Sequence, residues 1–232
     1  MSHFKLTTIL SRAFRRYRFF LIPNSILFVT FSAMVGYILL SHVLPNPIHD
    51  ARVYYILKAF QKPFNSGDPQ IGIFPGLSVI LWSAASFICL FSFNLIKRHT
   101  KSKREYWFLL YPGLLIGIVM LDEAFRFKLM LSVYLGIPKI TIYGVYTFLA
   151  ILFIYSFRRE IRQTPYLLLL ASGTFFFISG MADSYSISGR GLPILLEDVT
   201  KIFGVTNLVL YFYHVCHHQT MRVMMALKRK NH

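Results

Sequence analysis

The sequence predicts an all-α protein, a polytopic transmembrane bundle of about six spans, N-in and C-in, with one extracytoplasmic amphipathic helix. Three observations predict it. Of 232 residues, 55% are hydrophobic and only 15% charged, whereas roughly a quarter are charged in a soluble domain. The apolar residues gather into runs of about 20, the length that crosses a hydrocarbon core. Short basic segments punctuate those runs and collect on one side of them.

The expected spans are residues 19–44, 74–96, 107–126, 140–157, 166–184 and 194–215. The first follows Arg12, Arg15, Arg16 and Arg18; it is too long for a signal peptide and lacks a small-x-small cleavage site, which makes it a retained anchor. After it, Asp50 can cap a helix that runs to Lys62 with Val53, Ile56, Leu57 and Phe60 on one face. That helix is expected to cover the ends of the spans or lie on the membrane surface. Tyr106 and Trp107 open the third span as interfacial anchors, and Tyr166 opens the fifth. Within the third, Pro112 predicts a kink, and Gly113 with Gly117 leaves a small-xxx-small face for close packing. No polar stretch is long enough for a soluble domain, so residues 1–232 read as a single integral membrane domain of three helical hairpins without an internal repeat.

Charge sets the orientation. The N-terminus, the 97–105 and 158–163 loops and the C-terminus hold 17 of the 25 Lys and Arg, with only Glu105 and Glu160 among the acids. The opposite side holds the other seven acids and eight bases. This asymmetry places both termini in the cytoplasm, and a bacterial inner membrane is the expected location. The formal net charge of +16 then belongs to anionic lipid headgroups at the cytoplasmic face, where each basic residue gains about 1 kcal/mol. Nucleic acid is excluded as a partner, because the basic residues flank apolar runs instead of forming one face. Cys89 lies mid-span and Cys216 near the end of the last run, which argues against a disulfide.

Helical rise converts position into depth. Counted from Trp107, Asp122 lies about 22 Å up a hydrocarbon core of about 30 Å. Asp183 reaches about 25 Å from Tyr166, while Asp198 and Lys201 stand about 24 and 20 Å from His214. Asp122, Glu123, Arg126, Asp183, Glu197, Asp198 and Lys201 are thus expected in one layer near the outer face. Charges there are costly unless paired, so the layer is either a structural network or a functional site. Asp122 with Arg126, and Glu197 with Lys201, are spaced i,i+4 for local pairing. Glu123, Asp183 and Asp198 remain as extra carboxylates, able to share protons or hold a divalent cation through oxygen ligands. Lys128 and Arg190 are the nearest further bases that could satisfy them.

These residues resemble a group of uncharacterised bacterial polytopic membrane proteins. Its members carry Asp-Asp/Glu-x-Phe-x-x-His-Glu at the end of a span, then Leu-Gly-Ile-Pro, and begin their last span with Leu-Glu-Glu-x-x-Lys-x-x-Gly. This chain matches over roughly residues 107–215 with Asp122, Glu123 and Phe125, then Leu135-Gly136-Ile137-Pro138, then Leu196-Glu197-Asp198, Lys201 and Gly204. The resemblance implies no activity. It departs at His-Glu, replaced here by Lys128 and Leu129. If those two residues ligate metal in the group, their loss weakens metal binding. The Lys128 ammonium would then take the cation's place among the carboxylates.

A second concentration of ligand-type residues is His214, Cys216, His217 and His218. His214 and His218 share a helical face and could hold a metal or a pigment's metal, though a comfortable headgroup-level cluster is the plainer reading. Asp122-Glu123 with His214 and His218 resembles parts of the zinc set of the alkaline ceramidase and adiponectin-receptor hydrolases. The two groups lie about 20 Å apart in depth, and no Ser-His arrangement completes that set, so this membership is rejected.

The expected function is a non-enzymatic accessory, assembly or scaffold component that packs against other membrane proteins, lipids or pigments. A divalent metal or pigment is allowed by the sequence but not required. One alternative is a cation- or proton-coupled carrier that uses the outer carboxylates. The other is an enzyme acting on lipid, with Asp or Glu as general base but without a visible nucleophile or oxyanion donors.

Overall fold

The computed structural model describes residues 20–33, 36, 73–100, 102–184 and 192–230. Among these the chain is helical: α1 (Phe20–Ala33), α2 (Ile73–His99), α3 (Lys103–Phe125), α4 (Phe127–Leu135), α5 (Lys139–Ser156), α6 (Arg158–Arg162), α7 (Tyr166–Ser184) and α8 (Leu192–Lys230). The chain divides at Leu57 into two units, and α1 is the described part of the first. It is an apolar helix in which Asn24 donates to the Phe20 carbonyl and Thr30 to that of Ile26. The remainder of the expected 19–44 span, the helix from Asp50 to Lys62, and Arg190 lie outside the described residues.

Five helices are long and apolar enough to cross a membrane: α2, α3, α5, α7 and α8. They overlap the second to sixth expected spans, although α8 continues to Lys230, well past the expected end at residue 215, and the chain is an integral membrane protein. Buried burden differs sharply among them. In their most apolar windows α8 is 61% buried and α5 only 6%, so α8 forms the centre and α5 the periphery. α8 packs against α2 and α7, and α2 against α3.

Two serine–glycine contacts fasten these pairs in the same way. Ser86 of α2 donates to the Gly113 carbonyl of α3 at 2.8 Å, and Ser172 of α7 to the Gly204 carbonyl of α8 at 2.8 Å. A Cβ on Gly113 would stand 2.9 Å from Leu90, and one on Gly204 only 2.7 Å from the Phe176 ring. Absent side chains let the backbones approach closely, which drives helix association in lipid. The small-residue face expected at Gly113 therefore meets α2. Phe176 in turn stacks on Trp82, centroids 5.0 Å apart, and joins α7 to α2.

α5 is held at its two ends. Phe153 lies among Phe108, Tyr111, Phe157 and Phe212 at ring separations of 5.4–6.4 Å, and the Tyr111 hydroxyl donates to the Leu149 carbonyl. Polar contacts from Lys139 and Tyr143 fasten its beginning. Between them Val145, Phe148 and Ile151 are exposed, as suits a lipid-facing helix. Beyond α5, the Arg104 guanidinium grips both oxygens of Glu160 and the Ser156 carbonyl.

Candidate functional site

The start of α8 supplies Glu197, Asp198 and Lys201, the end of α7 Asp183, the end of α3 Asp122 and Glu123, and the start of α5 Lys139, Tyr143 and Tyr146. These helix ends converge. The Lys201 ammonium lies 3.0 Å from Glu123, 3.3 Å from Glu197 and 4.0 Å from Asp198, and its side chain is 14% exposed. Lys128 approaches the other oxygen of Glu123 at 3.7 Å. It also donates to the Tyr143 hydroxyl at 2.9 Å with its ammonium over that ring. Tyr143 donates to Asp183 Oδ2, while Lys139 bonds Asp183 Oδ1 at 2.8 Å. The result is a continuous polar chain from Lys139, the most exposed of the three lysines, to Lys201 at its inner end.

One expected pairing is corrected. Asp122 and Arg126 do not pair: α3 ends at Phe125, and Arg126 sits in the left-handed conformation, φ 55° and ψ 40°. That turn removes the i,i+4 alignment. Arg126 is exposed and belongs to no ion pair among the described residues. Asp122, 4% exposed, instead accepts the backbone N–H of Lys128 at 2.6 Å and so caps α4. The Tyr146 hydroxyl stands beside the same carboxylate.

Other placements differ in detail. Glu197 and Lys201 pair across one turn as expected, but Lys201 also reaches Glu123 on another helix. Lys201, more than Lys128, occupies the position among the carboxylates. Lys139 and Tyr143 were missed by the sequence reading. Their signal was available, because Lys139 begins a span at the same level and Tyr143 follows it by one turn on the same face.

The electrostatics favour an ionised Lys128. Burial alone would lower the Lys128 pKa, but Glu123, Asp183, Asp122 and Glu197 together outweigh it and raise it above the ordinary 10.5. Five carboxylates, Asp122, Glu123, Asp183, Glu197 and Asp198, thus face three ammonium groups, those of Lys128, Lys139 and Lys201. The lysines interleave with the acids, and among the described residues no group of three or more His, Cys, Asp or Glu is arranged to hold a metal ion.

The histidines form a separate feature. His214 and His218 stack with centroids 6.3 Å apart and planes within 9°, and His217 stacks on Tyr213. They lie 13 or more residues along α8 from Lys201, about 20 Å at helical rise. Nearby, Cys89 and Cys216 are free and buried. The separation expected for them fails, since α2 and α8 run side by side and bring Cys216 against both Cys89 and Ser92.

The sequence model of one family, described as a domain of unknown function (DUF8692), matches residues 19–215. No curated protein and no solved structure matches the chain.

Proposed function

The chain belongs to the DUF8692 family, and from its ion-paired helix ends we propose that it is a non-enzymatic accessory, assembly or scaffold component of a membrane complex. It is a single membrane domain of six spans in a bacterial inner membrane. Both termini are cytoplasmic, and its basic loops rest on anionic headgroups. One observation carries the reading: Lys201 fills the space among Glu123, Glu197 and Asp198. A site occupied by the protein's own ammonium is a fastening between helices rather than an open seat for a substrate or a metal. The exposed length of α5 leaves a face for other membrane components.

Purification from native membranes after mild crosslinking tests the role, and recovery of partner membrane proteins in fixed ratio is the expected outcome. A protein that always emerges alone overturns it. Metal analysis of the same sample is expected to find no stoichiometric divalent ion, and one lost on Asp122→Ala and Glu197→Ala sinks the self-filled-site reading.

A second reading is favoured by the excess of five carboxylates over three lysines. A surplus of buried negative charge must bind protons or cations, as a cation- or proton-coupled carrier requires. Proton-coupled transport in vesicles that survives Asp183→Asn together with Asp198→Asn rules this mechanism out.

A further inference from the structure

The segment between α3 and α5 is a bounded helix rather than a loop. Its start is a left-handed residue, Arg126, and the Asp122 cap on the Lys128 N–H. Its end is Gly136 at φ 64°, whose N–H bonds the Leu131 carbonyl. The nine residues of α4 extend about 14 Å, too short to cross a membrane. Apart from Lys128 and Ser132 they are aliphatic, aromatic or methionine. Met130, Val133, Tyr134 and Leu135 are 49%, 69%, 80% and 66% exposed, and at 100° per residue they cover more than half of the circumference.

We propose that α4 and Arg126 form a lipid-docking wing. The helix lies in the boundary of the leaflet beside the ion-paired layer, and the Arg126 guanidinium takes the phosphodiester of a phospholipid. Two observations select lipid as the occupant. Both ends of α4 continue directly into membrane-crossing helices, which tethers its apolar surface at the bilayer edge. The neighbouring cations Lys128, Lys139 and Lys201 are all ion-paired, whereas Arg126 is exposed and outside every ion pair of the described residues. A planar guanidinium binds phosphate oxygens in bidentate fashion, and Tyr134 suits the headgroup level. The wing is independent of the assembly role and extends beyond it.

The test uses the full chain in nanodiscs of phosphatidylglycerol and phosphatidylethanolamine. A nitroxide on Val133→Cys, with the signal of the labelled parent subtracted, is expected to collide more often with oxygen than with a water-soluble nickel chelate. Preference for the chelate places α4 in water, and protection from both means that protein covers it; either result overturns the wing. Arg126→Asn keeps the left-handed turn, which Asn tolerates, and removes the guanidinium. Native mass spectrometry is expected to show phosphatidylglycerol retention reduced several-fold in Arg126→Asn and less severely in Arg126→Lys, which keeps the charge but loses the bidentate fork. Equal retention in Arg126→Asn and the parent overturns the phosphodiester contact, whatever the spin label reports.

Discussion

The Lys201 ammonium lies 3.0 Å from Glu123, a residue 78 positions away in sequence, and 3.3 Å from Glu197, one turn before it. A single charge therefore ties α3 to α8, two helices that belong to different hairpins. Removal of either kind of partner should have unequal consequences.

Lys201→Met strands Glu197 and Asp198 beside an uncharged side chain and leaves Glu123 with Lys128 alone. Breaking a buried pair in this way costs about 3–5 kcal/mol, and a matching loss of unfolding free energy in nanodiscs is expected. Glu197→Gln costs less, because Glu123 still neutralises Lys201. Lys201→Met combined with Glu123→Gln recovers part of the loss, and a double variant as unstable as the sum of its singles contradicts the shared pairing.

Asp122→Ala removes the cap of α4, worth about 1 kcal/mol at typical helix N-termini. Hydrogen exchange at residues 127–135 should accelerate in that variant while α2 and α8 stay protected. Asp122→Asn retains an acceptor oxygen and should preserve most of the protection.

Gly204→Ala drives a methyl group into the Phe176 ring, itself stacked on Trp82. Overpacking of this kind costs about 1–3 kcal/mol. Gly173→Ala, on the neighbouring helix with nothing within 4 Å of its new methyl, should leave the thermal midpoint unchanged.

The Lys128 pKa is raised above 10.5 in the folded protein. A group with a raised folded pKa stabilises fully below its unfolded value and loses that contribution as pH climbs through the folded one. The stability difference between the parent and Lys128→Gln should therefore be flat from neutrality to the ordinary lysine value and shrink only above it. A difference that already shrinks between pH 7 and 9 contradicts the raised value.

The proposed orientation is checked by thiol labelling in sealed cells. A cysteine at Ser102 should react with an impermeant maleimide only after the membrane is opened, and one at Asp68 should react from outside.

Much of this architecture was readable in advance. The sequence by itself determined that the chain is helical and where its five described spans lie, but not that α8 runs on past residue 215 to Lys230. In lipid every backbone donor must be satisfied within its own segment, so a run of apolar residues is obliged to become a helix of matching length. Rise along those helices also indicated which acids and lysines stand at similar heights. Partner choice was not readable, because it depends on which face of each helix meets which neighbour. Only the tertiary structure decided that Asp122 caps α4 instead of pairing with Arg126, that Lys139 and Tyr143 join Asp183, and that Cys89 meets Cys216. The first follows from the left-handed residue at Arg126, and the others from how α5 meets α7 and α2 meets α8. Those contacts depend on how each helix is rotated, and hydropathy along the chain carries no record of that rotation.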